Sequence, residues 1–228
     1  MEFSSREHIT LVLDRLDSLY GHDASPPGMY ATGEPLDGLM LTLLSQNTND
    51  RNRDRAYDAL RRVCPEWKDA AEATAEKIAA AIKPGGLADI KSVRMKAILG
   101  RIYADFGEYS LAAMKSWPGG RARKYLRSLD GIGPKTVACV MIFDLGIPAF
   151  PVDTHVARIS RRLGWRPEKT SPEKIQDFLE SAVPPERCAG GHLNMIEHGR
   201  KACHARNPRC AACAVSDICR FGLEGEGT

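Results

Sequence analysis

The 228-residue chain has no run of eighteen apolar residues, so no segment is suited to cross a bilayer as a helix. It also has no internal repeat and no low-complexity segment, which excludes solenoid and largely disordered proteins. Its first residues lack the basic-then-apolar pattern of a secretory signal. Because 43% of the residues are hydrophobic, we expect a soluble, cytoplasmic protein with one large core or two small ones and no membrane partner.

Stretches of alternating apolar and polar residues, the mark of half-buried strands, are also missing. Apolar residues recur instead at helical spacing, and the stripes begin at Ile9, Leu36, Ala56, Ala97, Val137, Val156 and Ile175. A capping box of Ser4 and Glu7 is expected before the first stripe, and an alanine-rich helix over 69–82 is expected to stop at the breaker cluster 83–86. The pattern predicts an all-α fold.

Proline and glycine mark two joints, at residues 26–28 and 146–148. We expect residues 31–147 to form a central helical domain that carries the glycine-rich turn discussed below. Residues 1–30 and 148–228 are expected to form a second domain, in which the N-terminal helix packs with the C-terminal helices and a cysteine cluster.

The seven cysteines are an odd number, which argues against a disulfide scaffold and for a reducing compartment. Three are scattered, and each is expected to be a small buried hydrophobe: Cys64, Cys139 and Cys188. The other four lie within seventeen residues, with six, two and five residues between them: Cys203, Cys210, Cys213 and Cys219. Four thiolates at this spacing can close around one metal centre, either an iron–sulfur cluster or a zinc ion.

The chain is not strongly charged, with a net charge of +3, but the charge is unevenly distributed. Residues 1–114 hold 14 Lys and Arg against 17 Asp and Glu, whereas residues 115–228 hold 18 against 12. The basic residues of the second half fall into three groups, at 121–127, 158–166 and 200–209. Such clustering suits a polyanionic partner, although solvated helix faces would give the same pattern.

Gly131 and Gly133 lie between two helical patterns, and Pro134 suits the first position of the second helix. Glycines permit positive φ and a close approach of the backbone, so the turn is typical of a hairpin that holds a phosphate without reading bases. Lys135 follows at once, in the first helical turn, where the helix dipole disfavours a charged amine. A neutral amine is a nucleophile that can form a Schiff base, although a phosphate contact is the simpler alternative.

Asp153 lies eighteen positions after Lys135, in the sequence Val152-Asp153-Thr154-His155. An aspartate directly before a helical stripe is commonly an N-cap, and a carboxylate can also stabilise developing cationic charge or accept a proton. His155 is expected to be structural and not catalytic.

Three motifs in order, Leu-x-Gly-Ile-Gly-x-Lys-Thr, Val-Asp-Thr-His and C-x6-C-x2-C-x5-C, resemble the signature of the endonuclease III family of DNA glycosylases. The resemblance covers about residues 31–220 and implies a two-lobed helix-hairpin-helix fold with a C-terminal [4Fe–4S] cluster loop held by the four clustered cysteines. It implies that Lys135 attacks C1′ of a damaged nucleoside, that a Schiff base forms, and that β-elimination nicks the strand. Asp153 would assist the amine and stabilise oxocarbenium character. The implied partner is double-stranded DNA with damaged bases, in particular oxidised pyrimidines, or abasic sites, bound by a monomer at the nucleoid.

The resemblance also implies a set of DNA contacts. Gln46 or Asn47 would fill the gap left by a flipped base, and Leu87 would intercalate. Contacts to the DNA are further expected from the hairpin, from the start of the aspartate helix and from the cysteine loop: Gly131, Gly133, Thr136, His155, Arg206 and Arg209. Asp130 departs from the family pattern, which has proline at this position, and it places an acid near the phosphate-holding turn.

Two relatives of the same superfamily are alternatives, since an adenine-specific mismatch glycosylase shares the hairpin, the aspartate and the cluster. It lacks the lysine, however, and a thymine-mismatch glycosylase usually has tyrosine at the position of Lys135. An alternative of a different class is a non-catalytic DNA-binding module with a structural zinc.

Overall fold

The computed structural model describes residues 2–21 and 33–224, and their regular structure is entirely helical, without a strand. The predicted all-α class is therefore confirmed. Two compact units divide the described residues: residues 2–21 and 148–224 make one, and residues 33–147 make the other. The expected joint at 26–28 lies outside the described residues. None of the described helices combines the length and the apolar character needed to span a membrane.

The helices of the unit formed by residues 33–147 are α2 (Pro35–Ser45), α3 (Asp50–Val63), α4 (Trp67–Glu72), α5 (Ala75–Ile82), α6 (Ala88–Phe106), α7 (Gly119–Arg127) and α8 (Pro134–Cys139). Those of the other unit are α1 (Arg6–Tyr20), α9 (Thr154–Arg162), α10 (Pro172–Ala182), α11 (Cys188–Lys201) and α12 (Arg220–Leu223). Short 3₁₀ turns connect several of them, at Lys83–Gly85, Ala112–Ser116, Pro185–Arg187, Cys210–Ala212 and Ser216–Ile218.

Two helix starts differ from the sequence expectations. The cap of α1 is Ser5 and not Ser4, because the Ser5 hydroxyl accepts the His8 backbone N–H at 3.2 Å. The alanine-rich segment is two helices instead of one. Thr74 interrupts it, since its hydroxyl accepts the Lys77 N–H at 3.2 Å and so starts α5 afresh.

The helix after the glycine turn changes its winding. It is α-helical over Pro134–Cys139 and continues as a π-helical turn over Val140–Asp144, where the sequence pattern indicated one uninterrupted helix. Hydrophobic spacing does not distinguish these two windings over a single turn, and π turns frequently occur near functional sites.

Each unit has its own apolar core. In the unit of residues 33–147, helix α2 is buried along almost its whole length, which explains its nearly continuous apolar sequence. In the other unit, α1 packs on α11, where Gly191 allows Leu13 and Phe150 to approach the helix backbone. The scattered thiols of Cys64, Cys139 and Cys188 are all buried, as predicted.

Candidate active site and metal centre

The glycine turn between α7 and α8 needs one of its glycines for conformation and the other for space. Gly131 has φ +72°, and a Cβ there would lie 2.6 Å from Cδ of Arg94, so the arginine lies directly over the turn. Gly133 has φ −83°, which every residue adopts, and a Cβ there would meet no protein atom within 4 Å. Of the two properties that glycine permits, Gly131 therefore uses the positive φ, whereas at Gly133 the missing side chain leaves the backbone open.

Gln46, at the end of α2, is bonded to this turn. Its Nε2 donates to the Gly131 carbonyl oxygen at 3.3 Å and to the Thr136 hydroxyl at 3.5 Å. Thr136 itself is buried, so its hydroxyl serves the interior of the unit. Gln46 therefore supports the turn, and of the two expected wedge residues Asn47 is the one whose side chain is exposed.

Lys135 is the second residue of α8, directly after Pro134, and its side chain is half-buried. Pro134 has no N–H and fits the first helical position, so it fixes the direction in which α8 leaves the turn. The amine is thus carried by the first turn of a helix whose start is set by Gly133 and Pro134.

Asp153 is the N-cap of α9, as its position in the sequence indicated. Its Oδ1 accepts the Val156 backbone N–H at 2.8 Å, which orients the carboxylate and leaves its other oxygen directed away from that bond. Two residues on, the His155 ring packs against Gly199 of α11 and its Nδ1 lies 3.0 Å from an Arg158 nitrogen. Burial lowers the pKa of His155, which favours the neutral ring expected of a structural histidine.

Asn47 and Leu87 share an unusual backbone conformation. Their φ angles are +54° and +50°, in the left-handed region that disfavours residues with a side chain, and for leucine this is strained. Both side chains are nevertheless exposed, Leu87 to 49%. A strained leucine directed at solvent is a signal of function, because neither the backbone nor the core gains from it.

The four clustered cysteines line one cavity of ≈ 390 Å³, part of which is open to solvent. Its apolar wall includes Ile159, Leu163, Val215 and Phe221. Burial raises the pKa of the Cys213 and Cys219 thiols, so a metal that binds there has to displace their protons. Within residues 2–21 and 33–224 no group of three or more His, Cys, Asp or Glu side chains could hold a single metal ion. Four thiols that line one cavity are the donor set that iron–sulfur clusters use, so the chemistry of these residues fits such a cluster.

Arginines of α9 hold the backbone of the cysteine segment. Arg158 donates to the Cys203 carbonyl oxygen through Nε at 3.0 Å and Nη2 at 2.7 Å. Arg162 donates to the carbonyl oxygens of His204 at 2.6 Å and Ala205 at 3.0 Å. These contacts supply donors to carbonyls that regular structure leaves unpaired.

The basic group at 158–166 therefore serves the interior more than the surface. Besides Arg158 and Arg162, Arg161 donates to the Thr170 carbonyl oxygen at 2.7 Å, and Arg166 lies 4.4 Å over the Phe178 ring. Its expected contribution to a polyanion-binding surface was overestimated, because the sequence pattern does not reveal these carbonyl acceptors. Arg206 and Arg209, in contrast, are exposed.

Sequence reasoning missed Arg94. No motif surrounds it, and its contact with Gly131 joins residues 37 positions apart in the chain, so no local pattern pointed to it. A half-buried guanidinium over the glycine turn is a cation at the expected phosphate-holding position.

Residues 40–185 match the model of the HhH-GPD superfamily of base excision DNA repair proteins, and residues 203–219 match the iron–sulfur binding domain of endonuclease III. The endonuclease III of Thermotoga maritima is 31% identical over 195 residues, which cover 86% of this chain and 87% of the relative. A solved endonuclease III–DNA complex is 26% identical, with a TM-score of 0.82, and covers 96% of this chain and 97% of its own. The chain belongs to the endonuclease III family of helix-hairpin-helix glycosylases.

Plant relatives are longer than this chain. A candidate DNA glycosylase of Arabidopsis thaliana is 38% identical over 165 residues, which are 72% of this chain and 56% of that protein. Protein ROS1C of Oryza sativa is 32% identical over 75% of this chain, but the match spans only 10% of ROS1C. The chain thus corresponds to about half, or a tenth, of the plant proteins that it matches.

The matches confirm the two-lobed helix-hairpin-helix fold and the [4Fe–4S] cofactor that the motifs predicted. When bound, such a cluster ties the cysteine segment into one structural element. The four cysteines as its ligands, and the individual DNA contacts, stay predictions.

Proposed function

We propose that this protein is a bifunctional DNA glycosylase and AP lyase of base excision repair. It removes damaged bases, with oxidised pyrimidines as the expected class, from double-stranded DNA and nicks the strand at the resulting abasic site. The observation that carries the proposal is Lys135, an amine in the first turn of α8 directly after a turn in which Gly133 leaves the backbone open.

Lys135 acts as the nucleophile. Its neutral Nζ forms a bond to C1′ as the bond from C1′ to the base breaks, and the base leaves with that electron pair and is protonated. The nitrogen then loses a proton, its lone pair forms a double bond to C1′, and the ring oxygen leaves C1′ and is protonated, which gives an iminium. Removal of a proton from C2′ then expels the 3′ phosphate, and water releases the lysine. A mismatch glycosylase without lyase activity has no use for an amine at this position, which is why we prefer the bifunctional reaction.

Asp153 stabilises the cationic sugar. Its cap bond to Val156 holds one oxygen at 2.8 Å and thereby orients the carboxylate without neutralising its charge. A fixed carboxylate favours oxocarbenium character at C1′ and can take part in the proton transfers of the lysine.

The names of the relatives support the proposal. ROS1 of Arabidopsis thaliana, 33% identical over 68% of this chain, is a DNA glycosylase/AP lyase. One of the solved structures with the same fold, at a TM-score of 0.81 and 26% identity, is a trapped endonuclease III–DNA covalent intermediate. Both names are consistent with a covalent protein–DNA intermediate, which we assign here to Lys135. In the proposed complex the DNA backbone is held through Gly131, Gly133, Arg206 and Arg209.

Borohydride trapping tests the proposal. Incubation with a duplex that carries a single oxidised pyrimidine, followed by borohydride, is expected to yield a covalent protein–DNA adduct. Lys135→Gln is expected to reduce adduct formation and strand nicking by roughly a thousandfold or more, because it removes the nucleophile, while DNA affinity changes little.

Lys77→Gln is the matched control, since Lys77 is an exposed lysine of α5 in the same unit, and it is expected to trap as the unmodified protein does. Absence of any adduct with the unmodified protein would remove the lyase. An equal loss of DNA binding and nicking in Lys135→Gln would make Lys135 a phosphate contact instead.

A further inference from the structure

Lys91, in the first turn of α6, is a buried lysine outside the motifs. Only 1% of its surface is exposed, and its Nζ donates to two backbone carbonyl oxygens, Leu44 at 2.7 Å and Gly85 at 2.8 Å. Burial lowers its pKa, so the ammonium depends on these acceptors. If these two acceptors were lost, the buried amine would have no hydrogen-bond partner and the fold would be destabilised. We therefore ask what function its two bonds serve.

Its two acceptors belong to the segments that present the strained, exposed residues. Leu44 is in the last turn of α2, three positions before Asn47, and its carbonyl lies at the negative end of the helix dipole. Gly85 ends the 3₁₀ turn two positions before Leu87. The backbone N–H of Lys91 also donates to the Leu87 carbonyl oxygen, at 2.9 Å. Lys91 is therefore hydrogen-bonded to both neighbours of Gly86, which are Gly85 and Leu87, and to Leu44 at the end of α2.

The surroundings make this connection rigid. Gly85 is buried, and a Cβ there would lie 3.0 Å from Cβ of Ala56, so the 3₁₀ turn is packed against α3. Gln46, between Leu44 and Asn47, is bonded in turn to the Gly131 carbonyl. Both segments that carry the exposed residues are therefore bonded to Lys91, and the one that carries Asn47 is also bonded to the glycine turn through Gln46.

We propose that Lys91 is a positioning residue that holds Asn47 and Leu87 at a fixed spacing, so that both side chains enter the DNA stack together. The inference rests on the proposed function, because it assumes that these two side chains replace an extruded nucleotide. Extrusion costs a few kcal/mol, and rigid side chains that fill the gap offset part of it only if they are already in place. Lys91 touches no DNA in this account and acts through the two segments.

The decisive variant is Lys91→Met, which keeps the length of the side chain and removes its donors. Lys96→Met is the matched control: Lys96 lies on the same helix and also donates to two carbonyls, those of Ala71 at 2.6 Å and of Ala73, at the end of α4 and away from both exposed residues. We compare single-turnover removal of an oxidised pyrimidine from a duplex with cleavage at an abasic site in a single strand, which needs no extrusion.

Lys91→Met is expected to lose roughly tenfold or more on the duplex and to stay within about twofold on the single strand, since misplaced side chains impair extrusion but not the amine. Lys96→Met is expected to match the rate of the unmodified protein on both substrates. A second assay reports extrusion directly, with a duplex that carries tetrahydrofuran, an uncleavable abasic site, opposite 2-aminopurine. At saturating protein, Lys91→Met is expected to give a smaller rise in 2-aminopurine fluorescence than the unmodified protein. Equal duplex rates for Lys91→Met and the unmodified protein, or an equal fall on both substrates, would overturn the inference.

A double-variant comparison separates positioning from general destabilisation. If Lys91 acts through Leu87, then Lys91→Met is expected to add little to the duplex defect of Leu87→Ala, whereas independent effects would multiply and contradict the inference. Should Lys91→Met fail to fold, Lys91→Arg keeps a charged donor but displaces the two carbonyls. It is expected to fold and to lose duplex activity selectively, and full duplex activity in Lys91→Arg would overturn the inference. Borohydride trapping with the unmodified protein tests the proposed function separately.

Discussion

The glycine turn of residues 129–135 and the cysteine segment of residues 203–219 are both irregular, yet they are held in place by different means. The glycine turn is fixed by one left-handed glycine, by Pro134 and by the bond from Gln46. The cysteine segment depends on α9 arginines that donate to its carbonyls and on thiols that line a cavity. The first is therefore formed by the polypeptide itself, whereas we expect the second to need its cofactor for full stability.

The largest expected effect of this difference follows loss of the cluster. Cys213→Ser is expected to abolish the broad visible absorption of the cluster and to destabilise the unit of residues 2–21 and 148–224 by on the order of 5 kcal/mol or more, since metal binding contributes directly to folding. Visible spectroscopy and limited proteolysis measure this, with fast cleavage expected in 203–219 and slow cleavage near 131.

Cys188→Ala is the matched control, because Cys188 is a buried thiol at the start of α11 outside the cavity. It is expected to keep the visible absorption. If Cys213→Ser left the proteolytic pattern unchanged, the cysteine segment would keep its structure without the cofactor, as the glycine turn does. The proposed difference between the two regions would then be wrong.

A smaller effect is expected from alanine at the two glycines of the turn. Gly131→Ala forces a side chain into the left-handed region and against Arg94, at a cost of roughly 2 kcal/mol in unfolding free energy. Gly133→Ala is expected to leave stability unchanged, since its φ is ordinary and the space is open, but to weaken DNA binding by blocking the backbone.

Thermal unfolding together with DNA titration distinguishes the two variants. Unchanged DNA affinity in Gly133→Ala would mean that DNA does not approach this backbone. Loss of stability in that variant would mean that Gly133, like Gly131, is required by the fold.

The smallest effect concerns pH and Asp144, at the end of the π-helical turn that follows α8. Burial and the nearby charge of Asp37 raise the pKa of Asp144 from 3.8 to about 7. Between these values the folded state holds a proton that the unfolded state has lost, so stability falls as pH rises from about 4 to about 7 and is level above.

Asp144→Asn removes this dependence and is expected to increase the unfolding free energy at pH 8 by about 1 kcal/mol, a value reduced for the partial exposure of the side chain. Chemical denaturation at pH 5 and pH 8 measures it. Asp130→Asn, at an exposed carboxylate of the turn, is the control and is expected to change neither value. A lower unfolding free energy of Asp144→Asn at pH 8 would mean that the ionised carboxylate stabilises the fold, contrary to the raised pKa.

The sequence predicted features whose cause is local. Burial of one face specifies the helices that begin at Arg6, Thr154 and Pro172, and an aspartate before a stripe specifies the cap at Asp153. The break at Thr74 was missed because alanine periodicity continues through it. The spacing of the four cysteines predicted a metal centre, iron–sulfur or zinc, and the resemblance to the family made it a [4Fe–4S] cluster.

What sequence could not predict depends on contacts between distant residues. Arg158 meets the Cys203 carbonyl across 45 positions, and Lys91 meets the Leu44 carbonyl across 47. No periodicity marks such a partner, so the same arginines were assigned to a polyanion-binding surface and Lys91 was not noticed. The resemblance to a family supplied the roles of Lys135 and Asp153, which their spacing alone left open.

The left-handed leucine has a consequence for engineering. Glycine at position 87 suits the observed φ of +50° better than leucine does. A library screened for thermal stability alone is therefore expected to enrich glycine there, and glycine removes the side chain that is proposed to enter the DNA stack. Tolerance of high temperature and competence on DNA are expected to be opposed at this one position.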